Sequence, residues 1–301
     1  MSFVETYKIL TVERIRHMDS RFVIVAETGS DTPKNIADKY GIYLVPMHVS
    51  MGTETLDDGA FPPEDICAYY DRTGSVPKTS ASTPSDFEAV FDKIHEKYPD
   101  KHILHLAYSA ITTCSYQSAL IAAENRDYVT SIDTKHVSVG QAAVVIETVK
   151  TLAEHPEYTI DDAVNAVNSI AGRIHMCFLP KNLDYLRAGG RVSNVVALTG
   201  NLLGLHPCIE IIDGKLMAKK KYRGALKKVT PNLIEDFAKK YSISKDRLYF
   251  IWSPGLDDEV RVVAEDAAEK LGFKRTKWFK TGCVITCHGG PGCIGLVGFE
   301  K

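Results

Sequence analysis

No Cys-x-x-Cys pair occurs among the seven cysteines of this chain, Cys67, Cys114, Cys177, Cys208, Cys283, Cys287 and Cys293. An odd set without that spacing reads as reduced thiols. Cys283, Cys287, His288 and Cys293 crowd together, but their spacing matches no zinc pattern, and free cysteine is a common small core residue. Both Gly-x-x-x-x-Gly-Lys-Ser/Thr and Gly-x-Gly-x-x-Gly are missing, which removes the usual nucleotide-binding signatures. Without Gly-x-Ser-x-Gly, a serine-hydrolase elbow has no support. No apolar run reaches transmembrane length. Met1 to Ser20 is polar and charged, lacking the apolar stretch of a signal peptide, so the expected location is cytoplasmic. Neither sign of charge dominates. A formal net charge of −2 is too balanced for a nucleic-acid binder.

What is present suits two cores, since 301 residues is long for one. Residues 21–26, 42–49, 102–107 and 128–133 read as strands. They alternate with helices expected over 61–72, 86–97, 116–125 and 138–154, with Ser85 and Glu88 as the capping pair of the second. This alternation implies an α/β fold whose N-terminal part is a mostly parallel, Rossmann-like sheet with flanking helices. The pattern changes after about residue 172. A strand over 174–179, a hairpin around Asp213-Gly214, helices over 231–240 and 257–271, and strands over 248–252, 274–279 and 293–299 imply an α+β domain with a mixed sheet. The expected division is an extension over 1–20, one domain over 21–172 and a second over 173–301.

Residues 186–207 stand apart. They hold no acid, carry Arg187 and Arg191 around Gly189-Gly190, and continue into Val195, Val196, Leu198, Leu202, Leu203 and Leu205. Apolar residues on nearly every face mean burial, a partner or a greasy ligand. Four other segments are expected as loops rich in small hydroxyl residues or glycine: 28–31, 79–83, 109–115 and 288–292. In an open α/β sheet, ligands sit beyond the carboxyl ends of strands. Neutral donors of this kind suit one carboxylate or phosphate better than a polyphosphate. Asp31, Asp57 and Asp58 read as solvated surface acids rather than a cation site. Lys215, Lys219, Lys220, Lys221, Arg223, Lys227 and Lys228 concentrate positive charge in one stretch. That stretch is either a lysine-protected sheet edge or a dock for an acidic partner or an anionic membrane.

Taken in order, several motifs resemble the DegV family of fatty-acid-binding proteins. They are Glu27-Thr-Gly-Ser-Asp31, Tyr40-Gly-Ile with Val45-Pro46, Pro77-Lys-Thr-Ser80, Ser109 through Tyr116-Gln-Ser-Ala, and Ile132-Asp133. Leu183-Asp-Tyr-Leu through Gly189-Gly-Arg-Val-Ser193, Asp213-Gly214 and His288-Gly-Gly-Pro-Gly292 complete the set. The resemblance runs from about residue 21 to the end. It departs at Glu27, where the family has Asp, at Ala110 and Cys114 in the serine-rich loop, and at Gly289, where the family more often has Thr.

The resemblance implies two domains enclosing one long-chain fatty acid in a tunnel, with no cofactor and no catalysis by this chain. It implies presentation of the acid to a separate kinase subunit that forms the acyl phosphate. Thr79, Ser80, Ser109, Thr113 and His288 would hold the carboxylate, and Val195, Leu198 and Leu202 would line the tunnel. Arg187, Arg191, Lys219, Lys221 and Arg223 would dock the partner, with transient membrane or acyltransferase contact. A monomer is expected, with no nucleic acid and no metal. The competing readings are a phosphotransferase or hydrolase using His288 with a hydroxyl, and a regulatory lipid-sensing protein.

Overall fold

The computed structural model describes residues 20–191 and 204–301. Four parallel strands build the first sheet in the order β2-β1-β6-β7: β1 is Phe22–Glu27, β2 Tyr43–Val45, β6 His102–Ala107 and β7 Val129–Asp133. Every residue of β1 is buried, as expected of a parallel strand covered on both faces. The period of two sorts them. Phe22, Ile24 and Ala26 enter one core cluster, while Val23 and Val25 enter another against Phe87, Phe91 and Ile94.

A small antiparallel sheet, β4-β3-β5, is set beside it, with β3 His48–Met51, β4 Glu54–Asp57 and β5 Lys78–Ser80. The helices of this N-terminal lobe are α1 (Lys34–Tyr40), α2 (Glu64–Thr73), α3 (Pro84–Lys97), α4 (Ser115–Ala123), α5 (Ser138–Glu154) and α6 (Ile160–Gly172). The C-terminal lobe is a six-stranded mixed sheet, β10-β9-β8-β13-β11-β12. Its strands are β8 (Ile174–Leu179), β9 (Leu205–Ile212), β10 (Lys215–Arg223), β11 (Ile243–Trp252), β12 (Thr276–Lys280) and β13 (Ile294–Glu300). Helices α7 (Asp184–Gly189), α8 (Leu226–Lys240), α9 (Asp258–Lys270) and α10 (Cys283–Gly289) complete it.

The two sheets share one core. Leu104 and Leu106 of β6 belong to the same buried cluster as Met176 and Phe178 of β8 and Tyr249 and Ile251 of β11. Helix α5 contributes Val144 and Val145 to that cluster and is buried over most of its length. Its burial on nearly every side fits an apolar helix lodged between layers. The opposite face of the second sheet packs Leu248, Phe250 and Leu296 against Leu233, Phe237 and Val260 of α8 and α9.

Several local expectations are corrected. The strand over 42–49 is two strands, because Pro46 between β2 and β3 has no N–H to donate to a ladder. Helix α3 is capped by Thr83 and Asp86, each accepting from the other's backbone N–H, not by Ser85 and Glu88. Helix α6 has no counterpart among the expected elements, although Thr159 and Asp162 form the same box at its start. Helix α8 begins five residues before Pro231, since Leu226, Val229, Leu233, Ile234 and Phe237 keep helical spacing across it and are buried. Segment 283–289, which lies between the strands expected over 274–279 and 293–299 and overlaps the loop expected over 288–292, is helix α10.

Candidate functional site

Helix α10 brings the C-terminal lobe into the N-terminal one. It packs against β3, β5, α2 and α7, and His288 lies near its C-terminal end. There His288 Nε2 is 3.0 Å from Thr79 Oγ1 on β5. Thr79 is therefore presented by a strand of the small sheet rather than by a loop. The other ring nitrogen, Nδ1, is buried with no hydrogen-bond partner among the described residues. It faces Gly189, where an added Cβ would sit 2.3 Å away, so this approach of α7 to α10 requires glycine. Gly190 follows with φ +62° and ends α7, a left-handed cap that glycine adopts without strain. Burial, with the Arg191 charge second, lowers the His288 imidazole pKa to about 4. The ring is neutral at physiological pH.

Thr79 and His288 open into a cavity with about 910 Å³ of space free of protein atoms, counting its open mouth. Met47, Tyr108 and Val137 line it from the N-terminal lobe, and Phe178, Ile251 and Val284 from the other. An apolar wall with few polar groups is the usual composition of a small-molecule site. Ser80, Thr113 and Arg191 are also in the wall. A shallower surface cleft shares Thr112, Thr113, Arg191 and Leu216 with the cavity and adds Ile111 and Lys215. These shared residues mark where the cavity meets the surface.

The expected headgroup residues are thus only partly brought together. Thr79, Ser80, Thr113 and His288 share the cavity. Ser109 does not line it: its buried hydroxyl donates to Gly214 O at 2.8 Å, which commits its proton to a tie between the lobes. Arg191, expected on a docking face, lines the cavity, so the site is not made of neutral donors alone. Its guanidinium donates to Gly189 O at 2.7 Å. Val195, Leu198 and Leu202 lie outside the described residues. Lys219, Lys221 and Arg223 are exposed on β10, the edge of its sheet, and Arg187 is 3.9 Å from Asp184.

Other side chains act behind the wall. Glu27 is fully buried, and its Oε2 accepts from Tyr108 N at 2.9 Å and Gln141 Nε2 at 2.7 Å. It thereby fixes the chain where Tyr108 enters the cavity. Asp31 and Asp58 are buried rather than solvated, and burial raises both carboxyl pKa values, Asp31 well above the usual range. Both accept hydrogen bonds at the start of α10. No group of three or more metal-ligating side chains occurs among the described residues, and no described helix is long and apolar enough to cross a membrane. Cys283, Cys287 and Cys293 are buried free thiols.

Comparison with known proteins adds a family to this geometry. The fatty acid-binding protein of Thermotoga maritima is 28% identical over 288 residues, covering 91% of this chain and 96% of that protein. A solved structure described as fatty acid binding of a DegV family protein from Thermus thermophilus superposes with a TM-score of 0.83. It shares 26% identity, covering 93% of this chain and 100% of that one. A Thermotoga maritima structure described as revealing fatty acid binding function gives 0.78 at 26% identity, covering 93% and 99%. The family model described as an uncharacterised protein of the DegV family matches residues 21–301. This chain belongs to the DegV family.

Proposed function

We propose that the chain binds one long-chain fatty acid, tail inward, in the cavity between its lobes. The observation that carries this reading is the Thr79–His288 pair at 3.0 Å, a polar couple bridging both lobes in the wall of an apolar cavity. With Nε2 carrying the imidazole proton, His288 donates to Thr79 Oγ1. The Thr79 hydroxyl proton is then free to point at a carboxylate. Ser80 and Thr113 supply further donors, and Arg191 supplies the positive charge at the mouth. Hydrogen bonds to an ionised acceptor are shorter and stronger than neutral ones. The relatives described as fatty acid binders share this fold over nearly their whole length.

The role is to hold and present rather than to transform. Among the described residues no acid pairs with His288 Nδ1, which favours holding over general-base chemistry. A separate kinase subunit would phosphorylate the carboxylate at the mouth. The exposed Lys219, Lys221 and Arg223 of β10, with Arg187, suit docking of that acidic partner. Ile111, 56% exposed, lines the cleft at the mouth with Arg191 and Lys215 and suits a brief contact with an anionic membrane. The chain would act in the cytoplasm as a monomer. We place the division between lobes at 172–173, with residues 1–20 as an extension. Helix α6 ends there and β8 opens the second sheet at Ile174.

Extraction of the purified protein followed by mass spectrometry tests the reading. A long-chain acid in about one copy per chain is expected, with no turnover of ATP unless a kinase is added. Thr79→Ala combined with His288→Ala is expected to weaken acid binding while the fold is kept. Preparations that never carry or take up a fatty acid would refute it.

A further inference from the structure

Helix α10 begins with a defect that the rest of the molecule repairs. Its N-cap residue is Gly282, which makes no side-chain cap. The first amides of a helix have no partner inside it and need acceptors from elsewhere. Here both acceptors come from the other lobe. Asp31 Oδ1 accepts from Gly282 N at 2.6 Å. Asp58 Oδ1 accepts from Cys283 N at 2.8 Å and from Val284 N at 3.3 Å. The second Asp31 oxygen is bonded by the hydroxyl of Ser138, itself a residue of the cavity wall. Gly282 also makes the room: a Cβ there would lie 3.1 Å from Oδ1 of both acids.

We propose that Asp31 and Asp58 are positioning residues of the headgroup site, holding the His288-bearing helix so that its imidazole meets Thr79. This rests on the fatty-acid reading above. His288 lies five residues beyond Cys283, roughly 8 Å along the helix. A tilt at the capped end therefore moves the imidazole directly. Neither acid lines the cavity, so neither touches the ligand.

The test compares binding of palmitic acid with methyl palmitate, which keeps the tail and lacks the ionised headgroup. Wild-type protein is expected to prefer the acid. Asp58→Ala is expected to lower that preference about tenfold, the size of a lost charge-assisted hydrogen bond, with ester affinity unchanged. His288, followed by NMR, should titrate above its wild-type pKa of about 4 as the ring is released from burial. Asp58→Asn, which retains an accepting oxygen, should restore both readouts. Gly282→Ala, which forces the carboxylates off the amides, should reproduce the loss and carries the test if Asp58→Ala does not fold. Acid and ester affinity falling together, or an unmoved preference and His288 titration, overturns the proposal and leaves the fatty-acid reading standing. Equal binding of acid and ester by the wild type overturns both.

Discussion

Ser109 and Gly214 join the lobes through a single hydrogen bond, the serine hydroxyl donating to the glycine carbonyl at 2.8 Å. The contact needs both residues as they are. Gly214 has φ +79°, and a Cβ on it would fall 2.6 Å from Ser109 Oγ. The Asp213-Gly214 turn between β9 and β10 is therefore seated in the loop after β6.

Ser109→Ala is expected to cost roughly 1 kcal/mol of stability, the net value of one hydrogen bond, plus a share for the buried carbonyl left unpaired. Gly214→Ala is expected to cost more, since it adds left-handed strain and a clash. Urea denaturation of the two variants orders them. Because Ser109 is outside the cavity wall, fatty-acid affinity at saturating stability should change far less in Ser109→Ala than in Thr79→Ala. A reversed order of affinities would return Ser109 to the headgroup site.

Two histidines should respond to pH with opposite signs. The His288 pKa is lowered to about 4 by burial and then by Arg191. Between that value and about 6.5 the unfolded chain holds the extra proton, so stability is full above pH 6.5 and falls as the pH drops toward 4. For His48, burial opposes protonation, but Asp86 and Asp57, each 2.9 Å away, outweigh it and raise the pKa. Its contribution is present below about 6.5 and is lost as pH rises through the folded value. The stability gap between wild type and His288→Gln should narrow on acidification through that window. The gap for His48→Gln should widen at higher pH, on acidification from its raised folded value down to about 6.5. Parallel behaviour of the two would contradict this assignment.

These residues also show what the sequence makes legible. Thr79 and His288 are 209 positions apart, and only their place in a set of ordered motifs links them. The parallel sheet is readable because β1 and β6 are short, continuous apolar runs, and the Asp213-Gly214 hairpin because its turn chemistry is local. Arg191 at the cavity was not readable. Its neighbours Arg187 and Lys215 are surface-like, and only the left-handed Gly190 turn redirects the chain. Asp58 looked solvated because Asp57 beside it is. Burial separates them when α10 arrives from the other lobe, a contact with no local signature. Helix α10 itself was hidden because its cap lies in distant residues.

Arg191 should govern the charge of the site rather than its shape. Arg191→Ala removes a positive charge near His288, so the imidazole pKa is expected to rise from about 4 and acid binding to weaken, while methyl ester binding stays. Arg191→Lys should recover most of the charge effect but not the bond to Gly189 O, since a flexible ammonium does not reproduce the guanidinium fork. NMR titration of His288 in the three proteins separates charge from geometry. A His288 pKa indifferent to all three would place Arg191 out of electrostatic reach.

The tail should supply most of the affinity. Each buried methylene contributes about 0.8 kcal/mol, close to fourfold in the dissociation constant. Affinity measured along a series of saturated acids should therefore rise by roughly that factor per carbon until the cavity is full, then level off. Phe178, Ile251 and Val284 line the space together with Met47 and Tyr108. Ile251→Trp adds bulk to that wall and should move the levelling point to shorter chains, leaving short acids bound as before because Thr79 and His288 are untouched. A series that shows no dependence on chain length, or an Ile251→Trp variant that weakens all acids equally, would mean that the tail does not occupy this cavity.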